Sequence, residues 1–169
     1  NVELNSLQNQ LDSVKKEKES LETRLSQVSG ADGNNKLLTA VIKAANLYIS
    51  NDSTGAAEAI ADVDVSSLPV EEAKTLYNTI SGATMMNAAN DLYNRGMTAY
   101  NKADYTTAAD LLVRAYKCDK TKADAVFYAA KSYVALNQPD NAKKYYQIIA
   151  DEFKSSGYVT EAQAYVQSH

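Results

Sequence analysis

The sequence is poor in the residues that build chemical sites and cross-links. Its 169 residues include one cysteine, Cys118, one histidine, His169, and no tryptophan. A single cysteine excludes an internal disulfide framework. With one histidine, neither a zinc site nor a Ser–His–acid or Cys–His catalytic set is expected. Gly30 and Gly33 lack the strand, the spacing and the lysine of a phosphate-binding loop. We therefore expect no metal, no cofactor and no enzyme activity.

Proline, glycine, long apolar runs and excess positive charge are scarce as well. Two prolines and six glycines in a chain that is 45% hydrophobic favour helix over sheet. No apolar run reaches the roughly 18 residues that a membrane span needs. The net charge of −4 argues against a basic nucleic-acid face and against a polybasic membrane surface. We expect an all-α protein whose partners are proteins, without nucleic acid and without membrane contact by this segment.

A heptad pattern runs through the N-terminal region. Leucine, valine and one lysine recur at alternating spacings of three and four, with polar residues between them: Leu4, Leu7, Leu11, Val14, Lys18, Leu21, Leu25 and Val28. So narrow a stripe is typical of a coiled coil and predicts an oligomerisation helix over residues 1–29. With Leu4 at heptad position a, Lys18 also falls at a, and a lysine there favours a dimer. Val14 and Val28 fall at position d, where valine is also compatible with a trimer. The alternative is that this helix docks on the chain's own repeat domain.

The rest of the chain divides at glycine, asparagine and proline. Two glycines and two asparagines predict a linker over residues 30–35. Beyond it, residues 36–169 are predicted to form one repeat domain. It begins with a helix pair over 36–68, followed by an extra helix over 69–82 that starts at Pro69. A last helix over 158–167 has the composition of a cap.

Between these parts the sequence repeats itself, with residues 88–121 matching residues 122–156 at a spacing of 34. Large residues stand opposite large ones and small opposite small or medium ones: Tyr93, Gly96, Tyr100, Ala108, Leu112 and Ala115 fall on Phe127, Ala130, Val134, Ala142, Tyr146 and Ile149. This pattern resembles the tetratricopeptide repeat (TPR) family of helix–turn–helix units. Aligning Ala57 with Ala108 makes residues 36–68 a degenerate first repeat, with Ala61 at the position of Leu112.

The resemblance implies an α-solenoid in which the first helix of each pair lines a concave groove. The groove positions it implies are mostly apolar or amide-bearing: Ile42, Asn46, Ile49, Asn90, Tyr93, Met97, Tyr100, Asn101, Phe127, Lys131 and Val134. Such a surface suits an extended or helical peptide with hydrophobic anchors. The implied function is a non-catalytic protein–protein interaction scaffold, multimerised by the coiled coil so that weak contacts gain avidity. The alternative is a purely structural assembly subunit whose groove is filled by the chain itself.

A coiled coil followed by TPR units resembles the periplasmic Tol-associated proteins of the bacterial envelope, and residues 145–156 resemble their repeats. The chain also begins at Asn1, already inside the heptad pattern. We therefore expect an extracytoplasmic placement, tethered through a segment upstream of Asn1, ahead of a cytoplasmic one.

Overall fold

The computed structural model describes residues 2–27 and 32–169, and in these ranges helix is the only regular secondary structure, without a strand. The all-α class predicted from the sequence is thereby confirmed for the described residues. Within the two described ranges, eight α-helices follow one another: α1 (Val2–Gln27), α2 (Asp32–Ile49), α3 (Ser53–Ile60), α4 (Glu71–Asn101), α5 (Tyr105–Cys118), α6 (Ala123–Ala135), α7 (Pro139–Glu152) and α8 (Val159–Ser168). A 3-10 helix, Val65–Ser67, lies between α3 and α4. None of the described helices is both long and apolar enough to cross a membrane.

The chain forms two compact units, Asn1–Ala88 and Ala89–His169. The boundary falls inside α4 and not at the predicted linker. That linker is helical from Asp32 onward, because α2 begins there. Gly30 and Ala31 lie outside the described residues.

The predicted end of the extra helix at residue 82 is also wrong, because helix α4 continues without interruption to Asn101. Gly82 is tolerated inside it, because one helical glycine costs only about 1 kcal/mol relative to alanine. The hydroxyl of Ser81 donates to the Asn78 carbonyl at 3.2 Å, and that of Thr84 donates to the Ile80 carbonyl at 2.7 Å. These side chains therefore find partners within the helix and do not end it.

Three of the connections between helices share one backbone conformation. Asn51, Ala103 and Asn137 have positive φ angles of 63°, 59° and 55°. In each turn the next residue donates its N–H to a carbonyl five residues earlier: Asp52 to Leu47, Asp104 to Ala99 and Gln138 to Tyr133. This is the Schellman arrangement, which ends one helix with its last carbonyls bonded. The next helix starts one residue later in all three cases, so each turn joins a helical hairpin.

The turns give a register for comparing the hairpins. Asn51 and Ala103 are 52 residues apart, and Ala103 and Asn137 are 34 apart, so the spacing seen in the sequence recurs in the backbone. Two rows of buried residues follow in the second helices: Ala56, Ala108 and Ala142, and Ile60, Leu112 and Tyr146. The alignment of Ala57 and Ala61 with Ala108 and Leu112 is therefore wrong by one residue.

Helix α1 packs within the first unit through its C-terminal part. Val14 and Leu21 are fully buried in a core that α2, α3 and α4 complete, and Leu25 packs against it. The guanidinium of Arg24 lies 2.8 Å from the Glu72 carboxylate. These seam positions therefore face the chain's own helices, as in the docking alternative, and they are not free for a partner helix.

The remaining seam positions are more open. Leu11 and Lys18 are half-buried, and Lys18 pairs with Glu22 of its own helix at 3.3 Å. Leu4 is 68% exposed and Leu7 is 54% exposed. Val28 lies outside the described residues. An oligomerisation seam that runs the whole length of α1 is thus incompatible with this packing, and only its N-terminal part remains exposed.

Candidate partner-binding surfaces

The groove positions on α2 do not form one surface. Ile42 is nearly buried in the core of the first unit. With exposed Asn46 it lines a shallow depression of about 340 Å³. Ile49, at the end of α2, instead lines a larger cleft on the same unit.

The five groove positions on α4 all remain accessible. Asn90 and Asn101 are exposed, and Tyr93, Met97 and Tyr100 are half-buried. The ring of Tyr100 meets two further half-buried rings edge-on, with centroids 5.5 Å from Tyr105 and 5.1 Å from Tyr128. We call Tyr93, Tyr100, Tyr105 and Tyr128 the tyrosine surface. It combines residues of α4, α5 and α6, all within the second unit.

Charged groups lie at the Tyr93 end of this surface. The Lys122 ammonium donates to the Asn90 side-chain oxygen at 2.8 Å and lies 5.6 Å from the centre of the Tyr93 ring. Burial raises the pKa of Tyr93 above 10, and the negative charge of Asp124 raises it further. The phenol is therefore protonated at neutral pH and can donate a hydrogen bond to a ligand.

The groove positions on α6 are partly covered by the C-terminal part of the chain. Phe127 is nearly buried, and its ring stacks on that of Tyr158 with centroids 4.1 Å apart. Burial, together with a hydrogen bond to Asp124, raises the pKa of Tyr158 to about 12. Lys131 pairs with Glu161 of α8 at 3.6 Å. Phe127 is thus not open to a partner in this structure, whereas Val134 is 43% exposed.

A cleft of about 1060 Å³ in the first unit was not predicted from the sequence. The N-terminal half of α1 forms one wall with Leu7 and Leu11, and α4 forms another with Thr79 and Gly82. The end of α2, including Tyr48, closes it. None of the described residues that line the cleft carries a charge, and amide and hydroxyl groups alternate with apolar ones. One signal for it was present in the sequence: residues 3–11 contain a single charged side chain, Glu3.

In the part of the chain that the structure describes, no three His, Cys, Asp or Glu side chains lie close enough together to hold a metal ion. Cys118 is buried. The accessible surfaces offer aromatic rings, amides, hydroxyls and leucines. Comparison of the chain with family models, with curated proteins and with solved structures finds no match.

Proposed function

We propose that this protein is a non-catalytic interaction module of the TPR type, which binds a peptide or a segment of a partner protein on the tyrosine surface. The observation that carries the proposal is the grouping of four half-exposed tyrosines from three helices. Tyr93 and Tyr100 among them are positions that the TPR resemblance assigns to the groove.

The hairpins support the repeat assignment. The same Schellman turn occurs three times in the described residues, and the last two turns are 34 residues apart, which is the period of TPR units. The first helices have Ala44, Gly96 and Ala130 at matching buried positions. An ideal Cβ on Gly96 would come within 2.8 Å of the Leu112 side chain, so the two helices of that hairpin approach closely. Small residues at such crossings are what stacked helix pairs require.

The tyrosine surface suits a peptide with apolar anchors. Tyrosine offers a large ring at a low cost in side-chain entropy, together with a hydroxyl that bonds to peptide carbonyls. Tyrosine is also enriched among the residues that contribute most to binding energy at protein interfaces. The tyrosine contacts already hold the Tyr100 ring between those of Tyr105 and Tyr128, which limits the entropy lost on binding.

The test is a selection of peptides from a random phage-displayed library on the folded protein, followed by affinity measurements on variants. Replacing Tyr100 by alanine is expected to weaken the selected peptides by about tenfold or more, as for an interface hot spot. The matched control is Tyr133→Ala. Tyr133 is a half-buried tyrosine of α6 that stacks on Tyr145, with centroids 5.5 Å apart, and lies outside the tyrosine surface.

Equal weakening by Tyr100→Ala and Tyr133→Ala would contradict the proposal, because it would reflect a general loss of packing. Selection of peptides that bind the Tyr93→Ala/Tyr100→Ala double variant as tightly as the unaltered chain would contradict it as well. Circular dichroism of each variant verifies that the helices remain folded.

A second candidate function is a structural assembly subunit whose groove is filled by its own chain. The stacking of Tyr158 on Phe127 and the pairing of Glu161 with Lys131 favour it. The double variant Tyr158→Ala/Glu161→Ala uncovers both α6 positions. If the groove is self-filled, this variant binds peptides that the unaltered chain does not bind. If the tyrosine surface alone serves binding, the two proteins select the same peptides.

A further inference from the structure

The N-terminal turns of α1 extend past the helix on which they pack. Helix α1 has 26 residues and α2 has 18, so at 1.5 Å per residue α1 is about 12 Å longer. The extra length lies at the end remote from the connection between the two helices. We call residues 3–10 the overhang. It carries Leu4 and Leu7, the two seam leucines that remain exposed.

The cleft lies beneath this overhang. One of its walls is α1 itself, through Leu7 and Leu11, and the opposite wall is α4 at Gly82. If a helix is taken as a cylinder about 10 Å across, 1060 Å³ corresponds to about nine residues of helix. The overhang has nearly that length. The cleft therefore has room for the overhang of another chain.

The overhang and the cleft are also alike in having few or no charged side chains. Within residues 3–11 of α1, Glu3 is the only charged side chain, whereas residues 12–24 include Asp12, Lys15, Lys16, Glu17, Lys18, Glu19, Glu22 and Arg24. The cleft is lined by uncharged side chains throughout the part of it that the structure describes. Seating a charged helix in it would remove charges from water without compensation, whereas residues 4–10 of the overhang have no charged side chain to bury.

We propose that the cleft of the first unit receives the overhang of a second copy of this chain, so that two copies exchange their α1 N-terminal turns reciprocally. In such a two-fold arrangement the same patch serves on both copies, and Leu4 and Leu7 of each copy enter the cleft of the other. The contact differs from a heptad coil along the whole of α1, because Val14 and Leu21 stay in their own core. It concerns the first unit alone and is independent of the tyrosine surface.

Sedimentation equilibrium of the full chain over a range of micromolar concentrations tests the proposal. A monomer–dimer equilibrium is expected. Leu7→Glu is expected to raise the dissociation constant at least about tenfold, because it places a carboxylate in an apolar contact. Gly82→Glu is expected to do the same from the opposite wall. A Cβ at Gly82 meets no atom within 4 Å, so this variant has room to fold.

The matched control is Asn87→Glu. It adds the same charge to the same helix at an exposed position about 140° around the axis from Gly82, and it is expected to leave the dissociation constant unchanged. A chain that stays monomeric at all concentrations would overturn the proposal, and so would a trimer. A dimer weakened by Leu7→Glu but not by Gly82→Glu would also overturn it, because that result describes a coil of α1 helices that does not use the cleft.

Discussion

Gly82 and Gly96 lie in the same helix, yet their surroundings differ sharply. A Cβ added at Gly96 would meet the Leu112 Cγ at 2.8 Å and the Leu111 Cβ at 3.3 Å, whereas one added at Gly82 would meet nothing within 4 Å. Gly96 permits close packing of α4 on α5 in the second unit. Gly82 instead lines an open cleft in the first unit. The same residue type therefore marks a tight crossing in one unit and unfilled space in the other.

The two units differ in the same sense elsewhere. In the second unit aromatic rings cover the hairpins. For example, the centroid of the Tyr146 ring lies 4.7 Å from that of Tyr165 and 6.1 Å from that of Phe127. In the first unit the core reaches α1 only as far as Val14, and Leu4 and Leu7 remain outside it. Closed packing leaves the second unit only its outer face for the binding that we propose. The open end of the first unit leaves room for a helix.

The largest expected effects come from equivalent core positions in the two units. Ile60 and Leu112 are both fully buried in the second helix of a hairpin. Leu112→Ala is expected to lower the free energy of unfolding by about 2–5 kcal/mol, since it leaves a cavity in a closely packed crossing. Ile60→Ala is expected to cost less within that range if the first unit relaxes more readily. Urea unfolding measures both, with exposed Val134→Ala as the control, expected to change stability by no more than about 0.5 kcal/mol.

The two glycines give the next largest effects, and these are expected to have opposite signs. Gly96→Ala is expected to destabilise the protein by about 1–3 kcal/mol, because the buried Leu112 must move. Gly82→Ala is expected to stabilise it by about 0.5–1 kcal/mol, because alanine is the better helix former and has space. Thermal melting of the pair checks this. Equal shifts for both would remove the contrast between the units.

The three turns predict a smaller difference. Ala103 has a φ of 59°, a conformation that costs a residue with a Cβ about 1 kcal/mol or more and that asparagine adopts more readily. Ala103→Gly is therefore expected to raise stability by about 0.5–1 kcal/mol. Asn137→Gly, at φ 55°, is expected to change it by only a few tenths of that amount. The denaturant midpoints of the two variants test this difference. Equal midpoint shifts for Ala103→Gly and Asn137→Gly would mean that the turn has no preference for the residue at positive φ.

The last prediction has no effect at neutral pH. Burial raises the pKa of Tyr116 from 10 to about 12, with a contribution from its hydrogen bond to Glu152 at 3.0 Å. Because the folded state holds this proton more tightly, the contribution to stability is complete below pH 10 and is lost as the pH rises from 10 to about 12. Tyr116→Phe is expected to flatten the fall of the melting temperature in that window. Tyr105→Phe, at a tyrosine on the outer surface, is the comparison; an identical curve for the Tyr116 variant and the unaltered chain would contradict the prediction.

The hairpins of residues 88–156 were predictable because their determinants are local. Asp104 caps α5 by accepting from the Thr107 N–H at 3.2 Å, and Pro139 stands in the first turn of α7. Both signals can be read within a few residues of sequence. The buried alanines Ala108 and Ala142 follow from the helical period in the same way. Residues 158–167 were likewise predicted as a helix and correspond closely to α8.

Other features depend on distant parts of the chain. A heptad stripe predicts that Val14 and Leu21 are buried, but it does not indicate whether another chain or α2 buries them. The stacking of Tyr158 on Phe127 joins residues 31 positions apart, and no local pattern connects them. The cleft arises because α1 is longer than α2, so it depends on where two helices end, and helix ends are the least predictable part of a sequence pattern.

The repeated turn also bears on how the chain folds. A Schellman turn closes contacts between residues only five positions apart, and the α2–α3 and α6–α7 hairpins are each complete within about 30 residues of sequence. Short separations between contacting residues favour fast folding, on the microsecond-to-millisecond scale of helical proteins. Each hairpin can thus assemble while the next is still being synthesised. A ribosome-bound chain that ends just after α5 already contains every residue of the hairpin that Gly96 and Leu112 hold together.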